Sequence, residues 1–364
     1  MRILQVITDT DRRGAQVFAT DLGEAMSERG HEVRTVALAP GNRSSKLEVP
    51  VLGQRSRGVS TLKVLRSEMR NVDVTIAHGS STLLACGLAG LGPGRPFVYR
   101  QISDSRFWAP TWVRRARVAA YLRLPRRIVA LSAVAAGTLH DYLWVSSRKV
   151  DVVPNGVPRR GFAPATQQQR DAARAELGLA HDAFVVTYTG ALVPEKGVHV
   201  AIEAVAATGA HLLIVGGGPE RERLRSLGKA TADGRVLFAG EMSDVLAAYL
   251  ASDVVILPSL GGDSMPASLI EAGFCALPAI TTSIGSIADV VLDGSTGILT
   301  ASGDVAATTA AIERVRHDRA LAASLGTAAE RHCLDRFEIG VVADAWLSTL
   351  GRAVSRTAAA SSPA

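Results

Sequence analysis

The run 253–297, DVVILPSLGGDSMPASLIEAGFCALPAITTSIGSIADVVLDGSTG, decides how this chain folds. DVVILPS is a short apolar run rich in β-branched residues and bounded by a glycine-bearing loop, the pattern of a buried strand. Pro266 reads as an early helical position, with Asp263 or Ser264 as the cap, and the helix runs on through Glu271. PAITT (278–282) is the next strand, so the unit is strand–helix–strand with a right-handed crossover between parallel strands. Glycines follow at Gly285, Gly294 and Gly297. Asp263 precedes Glu271 by eight positions, which leaves the first acid in the loop and the second more than a turn inside the helix. Carboxylates so placed cannot form one close acid pair. They suit two different groups of one extended ligand, and the amides of Ser264, Met265 and Ala267 between them are available to a phosphate.

The same alternation extends in both directions. RILQVIT (2–8), EVRTVAL, DVTIAHG (73–79), PFVYRQI (96–102) and RIVALS (127–132) read as strands, and AQVFATDLGEAMSERG (15–30) as a helix closed by Gly30. KVDVVPNGV ends a further strand in a Pro-Asn-Gly turn, and the polar stretch PATQQQRDAARAELGLAHD follows. The pattern then restarts with AFVVTYTG (183–190), HLLIVGGG (211–218) and VLFAG (236–240). Two α/β domains are therefore expected, 1–155 and 156–335, each with a parallel sheet. Such sheets bind ligands at the carboxyl ends of their strands, so a cleft between the two domains is the expected active site.

A chain of 364 residues, 47% hydrophobic and 20% charged, has enough apolar material for two full cores and excludes wholesale disorder. Cys86, Cys275 and Cys333 are scattered, without a CxxC pair, which points to a reduced cytoplasm rather than a disulfide or zinc framework. No signal-peptide pattern opens the sequence and no run of eighteen apolar residues occurs. The net charge is +6, and residues 95–127 hold nine Arg against one Asp. Residues 106–127 add two Trp, a combination that suits a phosphate-bearing lipid or the anionic inner face of a membrane, as well as a plain solvated helix. Nucleic acid is not expected, since neither an RNP-like motif nor helix-turn-helix spacing is present.

Other candidates sit just after strands. Gly14 opens the first helix, where a backbone can approach an anion, although the dinucleotide pattern G-x-G-x-x-G is absent from this turn. Asp9-Thr10-Asp11 has the D-x-D form of some metal sites but lies beside Arg12 and Arg13, so no metal is expected. His78 ends a strand, where an imidazole can bond hydroxyls or exchange a proton. Glu195-Lys196-Gly197 brings an ammonium to a helix start, the electrostatics of a diphosphate site. Gly216-Gly217-Gly218-Pro219 makes a tight strand-to-helix turn without the G-K-[ST] of a P-loop.

Taken in order, Gly14-Ala15-Gln16, Val153-Pro154-Asn155-Gly156-Val157, Glu195-Lys196-Gly197, Gly216–Pro219, the Asp263…Glu271 pair and Asp293-Gly294…Gly297 resemble the retaining glycosyltransferases of family 4. The resemblance covers nearly the whole chain. It implies the GT-B fold, two Rossmann-like domains facing across a cleft, with a final helix, about Arg336–Ala353, crossing back to the first domain. It implies transfer of a sugar from a UDP- or GDP-linked donor to a hydroxyl acceptor, without a metal. By position, Lys196 neutralises the diphosphate, Glu271 holds the ribose, Asp263 contacts the transferred sugar, Ser264 and Met265 line the donor, and Gly14 approaches the phosphate. Three departures stand out: the first acid is Asp263 where the family usually has Glu; Ala191 follows Gly190 where an Arg is common; and after PFVYRQI the chain offers Arg100, Gln101 and Asp104 where many members carry a His. Gln101 keeps a hydrogen bond at that place and Arg100 a positive charge. Two alternatives share the fold: a nucleotide-sugar 2-epimerase, whose His and acidic signatures are missing here, and a nucleotide-sugar-binding protein without catalysis.

Overall fold

The structure, a computed structural model, describes residues 1–360 apart from 43–44, 92–95, 103, 105, 107–108, 233 and 243, with side chains described as far as 355. The chain divides into two compact units, Met1–Pro158 together with the stretch from Glu338 onward, and Arg159–Phe337.

In the first unit the order is β1 (Arg2–Asp9), α1 (Gly14–Glu28), β2 (Glu32–Ala39), α2 (Val59–Arg70), β3 (Val74–His78), α3 (Ser80–Ala89), β4 (Phe97–Arg100), α4 (Trp112–Tyr121), β5 (Arg127–Ala130), α5 (Ala133–Leu143) and β6 (Val150–Val152). The six strands are parallel in the order β2-β1-β3-β4-β5-β6. Both faces of the sheet are covered, which is why β3 is buried at every position, the polar Thr75 and His78 included. Leu4, Val6, Ala77 and Tyr99 face one core, and Ile3, Val74, Ile76 and Val98 face the other. The helix after β1 ends at Glu28 with Arg29 as its cap, and Gly30 follows in the left-handed region at φ 79°.

The second unit repeats the plan: α6 (Gln167–Glu176), β7 (Val185–Thr189), α7 (Val198–Ala206), β8 (His211–Val215), α8 (Arg221–Thr231), β9 (Val236–Gly240), α9 (Leu246–Ala251), β10 (Val254–Leu257), α10 (Ala267–Phe274), β11 (Ala279–Thr282), α11 (Ile287–Val290), β12 (Gly297–Thr300), α12 (Val305–His317) and α13 (Arg319–Phe337). Its sheet is parallel throughout, in the order β12-β11-β10-β7-β8-β9. The edge strand β12 was not anticipated from sequence, because GILT is short and follows a glycine turn.

The last helix, α14 (Ile339–Ala360), belongs to the first unit and begins a little later than the expected Arg336. Trp346, Leu350 and Ala353 are fully buried against Phe18, Leu22 and Met26 of α1 and the strands beneath them. The Ile339 amide donates to the Val157 carbonyl at 3.1 Å, so the segments leaving and re-entering this unit are tied together.

Candidate functional site

In an open parallel sheet the ligand crevice lies where the strand order reverses, at the carboxyl ends of the strands. In the second unit that point falls between β7 and β10. The segment after β7 carries Lys196 and the segment after β10 carries Asp263, and there the two side chains meet: Lys196 Nζ forms an ion pair with Asp263 Oδ1. Ser259 Oγ donates to the other carboxylate oxygen. The Leu260 amide donates to the Glu195 carbonyl at 2.8 Å, which stitches the two loops along their backbones.

Glycine is required at two places in this assembly. A Cβ on Gly197, φ 63°, would lie 2.2 Å from the Pro258 carbonyl oxygen, and one on Gly285, φ 62°, 1.9 Å from the Asp263 carbonyl oxygen. The acidic loop is therefore pressed between two turns that no side chain can share, and the Ser286 amide donates to the Ser264 carbonyl at 2.7 Å to close the second contact. Beside them the Gly216–Gly218 turn bonds back to the loop after β7, with the Leu192 amide donating to the Gly217 carbonyl at 2.8 Å. Ala191 stands where a cation was expected by resemblance; its carbonyl accepts from the buried Tyr188 hydroxyl at 2.8 Å.

Pro266 is not inside the helix. It is the residue that precedes α10, in extended conformation, and no side chain caps the helix start. Neither Asp263 nor Ser264 acts as the cap, because the Asp263 carboxylate is held by Lys196 and Ser259 instead. Met265 is buried, and Glu271 lies within α10. Glu271 Oε2 accepts a 2.9 Å hydrogen bond from the Tyr249 hydroxyl, a partner that no sequence motif singled out. A larger cavity of about 810 Å³ in this unit borders Arg170, Arg174 and Asp253, at the amino ends of the strands. It is away from the switch point, and Asp253 in its wall accepts from both arginines at 2.7 Å.

In the first unit the strand order reverses between β1 and β3. A cavity of about 370 Å³ opens there, bordered by Asp9, Arg13, Gln16, His78 and Ser80 among others. Gly14 begins α1, and a Cβ built on it meets nothing within 4 Å, so the protein itself does not demand glycine at that position. Asp9 is occupied by Arg13 and Gln16, in keeping with a polar rim rather than a bare carboxylate pair. Among the described residues no group of three or more His, Cys, Asp or Glu is arranged to hold a metal.

His78 is buried at the end of β3. Its Nε2 lies 3.0 Å from Gln5 Oε1, and the Gln5 amide nitrogen donates to the Ala19 carbonyl at 2.6 Å. Gln5 Oε1 is therefore an acceptor, and Nε2 carries the proton. Burial, and next the charge of Arg100, holds the imidazole well below its ordinary pKa, so the ring is neutral. Arg100 is itself fully buried, stacked on Phe18 at 3.8 Å and donating to Asn155 Oδ1 at 2.6 Å; burial lowers its pKa to about 9. Gln101 continues the strand beyond Arg100, its amide donating to the Val129 carbonyl at 2.9 Å, and its side chain is buried. Asp104 is engaged by Arg106.

The basic stretch 95–127 is partly consumed inside the fold. Arg127 pairs with Asp151, and Arg115 stacks on Tyr142 at 3.9 Å. Arg114, Arg117, Arg123 and Arg126 are exposed and form no ion pair with a described residue, and Trp112 beside them is 75% exposed. Trp108 lies outside the described residues. Among the described residues no helix is long and apolar enough to cross a membrane.

Comparison with known proteins places both units. Residues 12–160 match the family described as Glycosyltransferase Family 4, and residues 169–332 the family described as Glycosyl transferases group 1. A D-inositol 3-phosphate glycosyltransferase of Segniliparus rotundus is 31% identical over 242 residues, 61% of this chain and 51% of that protein. An exopolysaccharide phosphotransferase of Streptomyces coelicolor is 28% identical over 303 residues, 80% of this chain but 30% of that protein. The chain thus spans about half the length, or less, of these curated relatives. Among solved structures, Anabaena HepE in complex with UDP superimposes with a TM-score of 0.87 at 20% identity, covering 97% of this chain and all of that one. The same protein with UDP-glucose gives 0.83 at 19% identity, again over 97% of this chain and all of that one.

Proposed function

The chain belongs to the family 4, group 1 glycosyltransferases of the GT-B fold, and we propose that it is a retaining glycosyltransferase that moves a sugar from a nucleoside-diphosphate donor to a hydroxyl acceptor. The observation that carries this reading is the meeting of Lys196 and Asp263 at the switch point of the second sheet. A cation and a carboxylate on adjoining loops, with a second carboxylate, Glu271, on the following helix, offer one contact for each part of an activated sugar. Lys196 is the diphosphate ligand, Asp263 contacts the transferred sugar, and Glu271 holds the ribose, while Ser264 and Met265 border the donor. The solved HepE complexes with UDP and UDP-glucose support a uridine donor.

In this reading the donor C1–O bond to the β-phosphate breaks and a bond to the acceptor oxygen forms on the same face. The acceptor proton passes to the departing phosphate oxygen, so no protein base has to take it. The protein positions both substrates and stabilises charge on the leaving group. Lys196 supplies that charge, and donor binding exchanges its contact with Asp263 for one with the pyrophosphate. The second unit serves as the donor domain and the first as the acceptor domain, with the cavity at β1 and β3 taking the acceptor. From this unit Gly14 approaches the donor phosphate, the neutral His78 acts as a hydrogen-bonding rather than a charged group, and Gln101 contributes a polar contact. Arg114, Arg117, Arg123 and Arg126 give this unit a basic face suited to anionic lipid, which would hold the enzyme at the cytoplasmic surface of a membrane.

The deciding experiment is a panel of UDP- and GDP-sugars scored by thermal stabilisation and then by donor turnover. A ligand at a hundred times its dissociation constant adds about 2.7 kcal/mol of apparent stability. Stabilisation by UDP-glucose with transfer or slow hydrolysis is expected. Conversion of the sugar nucleotide to its epimer without any acceptor would replace this reading with an isomerase, and stabilisation without turnover would leave a binding protein.

A further inference from the structure

The Tyr249 hydroxyl lies between the two elements that carry the donor-site groups. It donates to Glu271 Oε2 on α10 at 2.9 Å and lies 2.8 Å from Thr189 Oγ1 at the end of β7. The Ser268 carbonyl is farther, at 3.2 Å. A phenol has one proton to give, and the nearby carboxylate is the stronger acceptor. The Thr189 hydroxyl then donates to the phenol oxygen, and the three groups form a directed chain, Thr189 to Tyr249 to Glu271. The ring is 1% exposed and meets Phe162 edge-on, with centroids 5.8 Å apart, so it has no freedom to swing. Burial, and next the charge of Glu271, raises the phenol well above its ordinary pKa of 10, so it remains a donor at any working pH.

We infer that Tyr249 is a positioning residue of the donor site, which holds one oxygen of the Glu271 carboxylate and, with Thr189 behind it, sets the direction in which Glu271 meets the ribose. This rests on the reading of Glu271 as the ribose contact. A glutamate side chain has several rotatable bonds, and ordering it only when ligand arrives weakens binding. A buried charge-assisted hydrogen bond removes that cost beforehand. A tyrosine that served packing alone would have no need of a carboxylate partner, since the Ser268 carbonyl is within reach.

The test compares two probes, UDP and inorganic pyrophosphate, by calorimetry on the full-length protein. Tyr249→Phe should weaken UDP on the order of tenfold and leave pyrophosphate within twofold, whereas Lys196→Ala should weaken both. Glu271→Gln should resemble Tyr249→Phe, and the double variant should be no weaker than Glu271→Gln alone, since coupled neighbours are non-additive. Thr189→Val, a smaller change to the core, should move UDP in the same direction and serves if Tyr249→Phe does not fold. Unchanged UDP affinity in Tyr249→Phe, or equal losses for UDP and pyrophosphate, would overturn the positioning role. Failure of the wild-type protein to bind UDP at all would instead overturn the functional reading from which it starts.

Discussion

Lys196 is ion-paired to Asp263 across the two loops that flank the switch point of the second sheet, with Ser259 on the opposite carboxylate oxygen. The pair is largely shielded, with 21% of the lysine and 9% of the aspartate side chain exposed. The ammonium is thereby held in one place instead of wandering in solvent, and in the proposed reading that place is where the donor pyrophosphate is neutralised.

Lys196→Ala should therefore lower kcat/KM by a factor on the order of a hundred to a thousand, which corresponds to about 3–4 kcal/mol of lost transition-state stabilisation. Steady-state kinetics with a saturating acceptor measures it. Wild-type turnover in the variant would take Lys196 out of the mechanism.

Gly285→Ala puts a methyl group against the Asp263 carbonyl at a residue whose φ is 62°. The backbone strain alone costs on the order of 1–3 kcal/mol, and the loop must also move. The expected result is a lower unfolding midpoint together with weaker UDP binding, because the displaced loop also carries Ser264 and Met265, which border the donor in the proposed reading. Gly14→Ala is the control in the first unit: its Cβ meets nothing, so unfolding should be unaffected, and any effect should be confined to ligand binding.

The buried, neutral His78 makes stability depend on pH. Its folded pKa lies below the ordinary 6.5, so in the window beneath 6.5 the unfolded chain binds more protons than the folded one. Stability from this group is then complete above about pH 6.5 and falls as the pH drops through that window, by at most about 1.4 kcal/mol per unit. His31 and His211 are lowered too, so the informative quantity is the difference from His78→Asn. Urea unfolding at pH 7.5 and 5.5 should show a smaller loss in the variant; equal losses would mean that the ring is not held neutral.

Replacing Arg114, Arg117, Arg123 and Arg126 by serine should abolish co-sedimentation with anionic vesicles at low salt and leave hydrolysis of soluble UDP-sugar unchanged. Each lost charge near such a surface is worth about 1 kcal/mol. If the wild-type protein does not sediment with these vesicles, the basic face is an ordinary solvated one.

Much of the architecture was legible in the chain because a doubly covered parallel sheet leaves short, fully buried runs rich in apolar and β-branched residues, as at VTIAH and VVTYT. GILT escaped because an edge strand buries less and here grows directly from a glycine turn. Pro266 misled for a local reason. A proline before a helix usually signals its first turn, but here the acid three residues earlier, which would have capped that turn, is committed to Lys196. The pairing of Lys196 with Asp263 was foreshadowed only as two separate motifs, since their 67-residue separation is bridged by strand order rather than by any local period. Tyr249 was invisible in LAAYLA, where a tyrosine reads as one more apolar residue, and Gln5 was hidden in the same way inside RILQVIT.

The helix Ile339–Ala360 completes the core of a unit whose other elements are synthesised before Pro158. During translation, Phe18, Met26 and Val98 must wait with one flank uncovered until the whole of Arg159–Phe337 has emerged and Trp346 arrives. The later unit, contiguous in the chain, is free to mature first, so the order of folding on the ribosome should run opposite to the order of synthesis. Pulse proteolysis of stalled nascent chains would reveal that inversion, and a protected first unit before Trp346 has left the exit tunnel would contradict it.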